Sequence, residues 1–166
     1  MKKYKVGIIG GTGMVGQRFV TLMENHPWFQ LTAIAASGRS AGKTYEEAAG
    51  PRWAMTVPMP EEAKGLIVLD AQADAEKLAE AVDFCFCAVD MKKDEIRALE
   101  EKYAKLECPI VSNNSAHRWT EDVPMVVPEI NAEHIEVIEA QRKRLVPSAA
   151  SSPSRATVLS RAMYPL

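Results

Sequence analysis

Lys5-Val-Gly-Ile-Ile-Gly-Gly-Thr-Gly-Met-Val-Gly-Gln-Arg-Phe19 reads as an apolar strand, a glycine-rich turn and the opening of a helix in immediate succession. Val6, Ile8 and Ile9 supply the strand, glycines follow at Gly10, Gly13 and Gly16, and Val15, Phe19 and Leu22 continue at helical spacing. This order suits a dinucleotide pyrophosphate, because the free N–H groups of a helix N-terminus face the turn. Gly10 allows the tight turn, Gly13 lets backbone approach the phosphates and Gly16 lets the helix lie close to the sheet. Gly11-Thr-Gly13-Met-Val-Gly16 fits the commoner G-x-G-x-x-G spacing, so the sequence leaves open whether Gly10 or Gly11 makes the turn. The plain alternative is a glycine-rich strand-to-helix turn without a ligand.

The remaining composition narrows the classes of function. The chain has 166 residues, 47% apolar and 25% charged, enough for one sizeable core. Lys plus Arg number 20 against 22 Asp plus Glu, a net charge of -2 with no basic stripe, which argues against a nucleic-acid partner. No apolar run reaches spanning length and the first residues lack a secretory pattern, so no membrane partner and a cytoplasmic location are expected. Three cysteines make no disulfide framework. Cys85 and Cys87, two apart in an apolar strand, point the same way and are expected in the core; Cys108 is expected to be structural, and no metal cluster is expected.

Further strands are expected at Leu31–Ala36, Leu66–Leu69, Phe84–Val89 and Ile110–Ser112, with helices at Ala73–Ala81, Lys92–Leu106 and Ala132–Leu145. Residues 37–60 read as one long irregular excursion, and Pro124-Met-Val-Val-Pro128 as an extended run. Apolar strands alternating with helices predict an α/β, Rossmann-like architecture, a mostly parallel sheet with helices on both faces. Residues 1–145 form this nucleotide-binding domain. Residues 146–166 hold five serines, three prolines and no acid, and are expected to be an irregular, disordered tail.

An acidic residue at the end of the second strand ordinarily binds a ribose 2′-hydroxyl, whereas a 2′-phosphate needs donors and positive charge. Ser37-Gly-Arg-Ser40 stands at that place. Two hydroxyls and a guanidinium predict NADP in preference to NAD.

Four segments in sequence resemble the aspartate-semialdehyde dehydrogenase family: Gly10-Gly-Thr-Gly-Met-Val-Gly16, Ser37-Gly-Arg-Ser-Ala-Gly42, Val111-Ser-Asn-Asn-Ser-Ala-His-Arg118 and Val127-Pro-Glu-Ile-Asn131. The resemblance runs from about Lys3 to Leu145 and implies NADPH-dependent reduction of aspartyl phosphate to aspartate semialdehyde, with release of phosphate, on the route to lysine, threonine and methionine. It implies a homo-oligomer. It places Gly10, Thr12, Gly13, Met14 and Val15 at the pyrophosphate, Ser37, Arg39 and Ser40 at the 2′-phosphate, and Ala88 and Val89 beside the cofactor. Asn114 falls on the segment leading toward the active site, and Arg118 matches the arginine that binds the acyl-phosphate substrate. A surface ion pair of Arg118 with Glu121 or Asp122 is the alternative; His117 reads as a loop histidine, and His26 and His134 as structural.

The family's chemistry uses a cysteine thiolate in an Asn-Cys motif, which forms a thioester that accepts hydride. This sequence contains no Asn-Cys, no cysteine beyond Cys108 and nothing resembling the second, catalytic domain, so no catalytic residue is assigned. Residues 146–166, back-translated with permissible codons and shifted by one nucleotide, yield Gly-Thr-Lys-Arg-Gly-Phe-Ile-Ala-Lys-Pro-Ser-Asn-Cys-Ser-Ile-Gln-Ser-Tyr-Val-Pro. The expectation is therefore an inactive N-terminal half with an out-of-frame tail. Two other readings compete: a non-catalytic NADP-binding module, and a relative of N-acetyl-glutamyl-phosphate reductase.

Overall fold

In the computed structural model, which describes residues 2–145 and the backbone of 158–161, every strand pairing is parallel. The first unit is β1 (Tyr4–Ile9), α1 (Met14–Met23) and β2 (Phe29–Ala36). Then come α2 (Tyr45–Ala49), a 3₁₀ turn (Gly50–Arg52), α3 (Glu61–Lys64), β3 (Val68–Asp70), α4 (Ala75–Ala81) and β4 (Phe84–Cys87). The last part comprises α5 (Lys93–Lys105), β5 (Ile110–Ser112), β6 (Met125–Val126), α6 (Pro128–Asn131), a 3₁₀ stretch (Ala132–Val137), α7 (Ile138–Leu145) and β7 (Val158–Arg161). The sheet order is β3-β2-β1-β4-β5-β7-β6. The chain leaves β1 toward β2 on one side and crosses to β4 on the other, which opens a crevice at the carboxyl ends of β1 and β4.

Successive residues of β1 enter opposite cores, as a sheet covered on both faces requires. Val6 and Ile8 pack with Val20, Met23, Ile34 and Tyr45 on one face. Ile9 packs with Leu78, Cys85, Cys87, Leu99 and Tyr103 on the other, under α4 and α5. The first face carries an aromatic seam in which Phe19 stacks on Phe86 at 4.8 Å between ring centroids. His26 closes its end: it stacks on Phe29, and its Nδ1 accepts from the Phe29 N–H at 3.0 Å.

Several elements differ from the sequence expectation. In α1 the buried positions are Gly16, Gln17, Val20 and Met23, while Val15 and Leu22 are exposed, because Gly16 rather than a larger side chain sets the line of closest approach to the sheet. Residues 37–60 are not irregular throughout: Thr44 and Glu47 form a reciprocal capping box that starts α2, and Glu47's carboxyl is held below its usual range by the Thr44 N–H and hydroxyl. The third strand is Val68–Asp70, shifted toward the crevice, and β4 ends at Cys87. The helix from Ala132 begins as a 3₁₀ stretch, becomes α-helical at Ile138 and leaves Ile135 exposed. Within the tail, Val158–Arg161 forms β7 between β5 and β6, where no strand was expected. The remaining tail, residues 146–157 and 162–166, lies outside the described residues.

All three cysteines are buried and free, with Cys85 and Cys108 Sγ 3.7 Å apart. Burial pushes the Cys85 and Cys87 thiols well above the ordinary range. Unfolding releases those protons more readily than the fold does, so this contribution to stability falls as pH rises past about 8.5. Ellman's reagent at pH 8 is expected to leave Cys85, Cys87 and Cys108 unmodified in the native protein and to titrate all three in denaturant; rapid native reaction contradicts this packing.

Candidate functional site

The turn after β1 resolves the choice between Gly10 and Gly11. Gly10 has φ +86°, a left-handed conformation, and a Cβ there would lie 2.6 Å from the Ala88 carbonyl oxygen. Gly10 therefore makes the turn and lies against the segment following β4. Gly16 permits the second close approach, since a Cβ on it would collide with the Gly10 carbonyl. α1 then opens at Gly13, with no capping side chain and no acidic residue in its first turn. The helix N-terminus thus faces the crevice without a carboxylate competing for its N–H groups.

Two buried side chains fix this loop. Tyr45 donates its hydroxyl to the Gly11 carbonyl at 2.8 Å. Gln17, 1% exposed, donates from Nε2 to the Thr12 carbonyl at 3.1 Å and the Arg52 carbonyl at 3.0 Å, while its Oε1 accepts from the Ala54 N–H at 2.8 Å. The glycine turn and residues 52–54 are thereby held as one unit. Sequence reading missed Gln17, Tyr45 and Arg52; a glutamine on the inner face of an otherwise apolar helix was the available signal for the first.

A cavity of about 730 Å³ occupies the crevice. Gly10, Thr12 and Gly13 line one wall, Ser37 and Arg39 the end beyond β2, and Ala88 and Val89 the side toward β4. Arg52, Asp70, Gln72 and Met91, none of them foreseen, complete much of the remainder. A second cavity of about 330 Å³ is lined by Thr12, Ser37, Arg39, Ser40, Lys43 and Arg52, with Glu47 as its one acidic residue. The Ser40 N–H donates to the Ser37 carbonyl at 2.9 Å, which folds this segment into a turn. Asp70, at the end of β3, stands beside the Ser37–Ser40 turn: its Oδ1 accepts from the N–H groups of Gln72 and Ala73, both at 2.8 Å, and organises the approach to α4, while its Oδ2 lies 2.8 Å from where a Cβ on Gly38 would stand.

Met14 and Val15 are exposed on α1, and neither side chain lines either cavity, so only their backbone faces the turn. Asn114 and Arg118 also lie outside both linings. They sit on a segment clasped by α5: Glu100 Oε1 accepts from Ser112 Oγ at 2.5 Å and Asn114 Nδ2 at 3.2 Å, and Arg97 Nε donates to the Ala116 carbonyl at 2.8 Å. His117 lies in this loop as expected, and it is buried there, 2% exposed, with Nδ1 3.1 Å from Thr120 Oγ1. Arg118 makes no ion pair with Glu121 or Asp122 among the described residues, and its buried Nε has no hydrogen-bond partner there. Asp122 instead binds Arg144 Nε and Nη2 at 2.5 and 2.9 Å. The His134 ring stays structural, its Nδ1 3.2 Å from the Met125 amide nitrogen.

Among the described residues no helix is long and apolar enough to cross a membrane, and no group of three His, Cys, Asp or Glu converges as a metal site.

Comparison with known proteins gives consistent results. The model of the semialdehyde dehydrogenase NAD binding domain matches residues 5–138. Aspartate-semialdehyde dehydrogenase of Archaeoglobus fulgidus is 41% identical over 141 residues, covering 85% of this chain and 39% of that protein. Its counterpart in Methanothermobacter thermautotrophicus is 42% identical over 139 residues, covering 84% of this chain and 38% of that protein. The crystal structure of aspartate semialdehyde dehydrogenase with NADP from Candida albicans superposes with a TM-score of 0.78 at 34% identity, covering 96% of this chain and 42% of that one. The chain spans about 39% of the length of the first of these curated relatives.

Proposed function

The chain belongs to the semialdehyde dehydrogenase family, whose NAD binding domain it carries, and on that premise we propose that it binds NADP and supplies the nucleotide-binding part of an aspartate-semialdehyde dehydrogenase. The reaction is reduction of L-aspartyl 4-phosphate to L-aspartate 4-semialdehyde and phosphate, in the cytoplasmic biosynthesis of lysine, threonine and methionine, by a homo-oligomer. One observation carries the cofactor assignment: Ser37 and Arg39 share a cavity with Gly10, Thr12 and Gly13, and Ser40 joins them in the adjoining one. The Candida albicans relative, whose crystal structure was solved with NADP, supports the same reading.

The bound dinucleotide would contribute the hydride. The chain's own part is to bind and orient. The Gly10–Gly13 turn and the N–H groups opening α1 hold the pyrophosphate, with the backbone of Met14 and Val15 in that first turn. Ser37, Arg39 and Ser40 hold the 2′-phosphate, and Ala88 and Val89 bound the side toward β4. Arg118 is assigned to the substrate phosphate, on the support of its unpartnered Nε and a segment braced by Glu100 through Ser112 and Asn114. Cys85, Cys87 and Cys108 are buried, and burial holds the first two thiols protonated, which leaves no described thiol suited to acyl transfer.

Calorimetric titration with NADPH and NADH tests the assignment. NADPH is expected to bind at least about tenfold more tightly, the worth of one charge-assisted contact to the extra phosphate. Equal affinities, or binding of neither, contradict it.

A further inference from the structure

We propose that Arg52 is a second guanidinium reading the 2′-phosphate, held there by Gln17; this rests on the NADP reading above. Arg52 lines both the main cavity and the smaller one containing Ser37, Arg39 and Ser40, so it stands at the junction between them. It lies at the end of a short 3₁₀ turn with Pro51 beside it, and its Nη2 donates to the Ala48 carbonyl at 3.3 Å. That single bond leaves the other donors of the guanidinium fork available. Among the described residues it forms no ion pair.

The anchoring is unusual for a loop arginine. Gln17 uses both amide hydrogens and its oxygen on backbone groups, linking the Thr12 carbonyl of the pyrophosphate turn to the backbone of Arg52 and Ala54. The distance from the turn to the Arg52 backbone is therefore set by a buried contact, and the bond to the Ala48 carbonyl restrains the exposed side chain that extends from it. The only carboxylate lining the smaller cavity, Glu47, is already engaged by the Thr44 N–H and hydroxyl, both at 2.9 Å. Arg39, Arg52 and Lys43 thus give the cavity a cationic excess, and Arg52 combines a planar fork with a fixed base. A phosphomonoester on a ribose is the ligand this arrangement suits. Gln17 acts as a positioning residue.

The test is calorimetric titration of the unaltered chain and of Arg52→Gln, Arg52→Lys and Gln17→Met with NADP and with NAD, with thermal unfolding of each protein. Arg52→Gln is expected to weaken NADP binding roughly tenfold to a hundredfold and to leave NAD within about twofold. Arg52→Lys should recover part of the loss, since it restores charge without the fork. Gln17→Met should lower the NADP-to-NAD preference, whereas a purely structural glutamine would weaken both ligands alike. An unchanged NADP affinity in Arg52→Gln, or equal losses for both ligands, overturns the proposal while sparing the NADP reading. An unaltered chain that does not prefer NADP overturns both.

Discussion

Gly10→Ala is expected to abolish dinucleotide binding and to lower the melting temperature by roughly 10 °C. Two costs combine at this position. An alanine held at φ +86° costs about 1–2 kcal/mol. Its Cβ, 2.6 Å from the Ala88 carbonyl oxygen and 2.8 Å from the Val89 nitrogen, adds an overpacking cost of about 1–3 kcal/mol. Both obstructing groups are backbone, so no rotamer change relieves them. Relief requires the turn to move away from the segment after β4, and that movement disrupts the crevice. A loss of about 3 kcal/mol corresponds to roughly 6–12 °C in a domain of this size. Thermal unfolding and NADPH titration of the same variant provide the check. Retained binding would show that the glycine turn is not part of the site.

Arg39→Asp is expected to weaken NADP binding by roughly a thousandfold, about 4 kcal/mol, while NAD binding stays within a few fold. The substitution removes a charge-assisted contact worth about 1.5–3 kcal/mol and adds a like charge opposite the 2′-phosphate. Arg39 is exposed and makes no ion pair among the described residues, so stability should be nearly unaffected. The selectivity ratio is thus a clean readout. A proportionate loss for both dinucleotides would place Arg39 elsewhere than at the 2′-position.

The architecture was largely legible because its main signals are local. β1, β2, β5 and α5 follow from apolar runs and helical periodicity, and the positions of Ser37, Arg39 and Ala88 follow from the ends of β2 and β4. The sequence left the turn open between Gly10 and Gly11, since each begins a plausible glycine pattern; the close approach of the Ala88 carbonyl, distant in sequence, separates them. α2 was obscured by the glycines and prolines around it, although Thr44 and Glu47 already formed a capping pattern. Gln17 was missed for a similar reason: its three partners lie on segments that meet only in the folded chain. Met14 and Val15 were read by position in the motif, but helix geometry turns both side chains outward. His117 and Arg118, adjacent in sequence, could not be read for burial from a polar loop. His117 is buried with Nε2 3.9 Å from Glu100 Oε2, and among the described residues that nitrogen and Arg118 Nε are both buried without a hydrogen-bond partner.

An amide NMR titration of the isotopically labelled chain with NADP tests the central claim most directly. Saturable shifts are expected at Gly10–Gly16, Ser37–Ser40, Arg52–Ala54, Asp70–Gln72 and Ala88–Met91, the segments that surround the crevice or are pinned to it. No shift at millimolar NADP, or shifts centred on other segments, would contradict it.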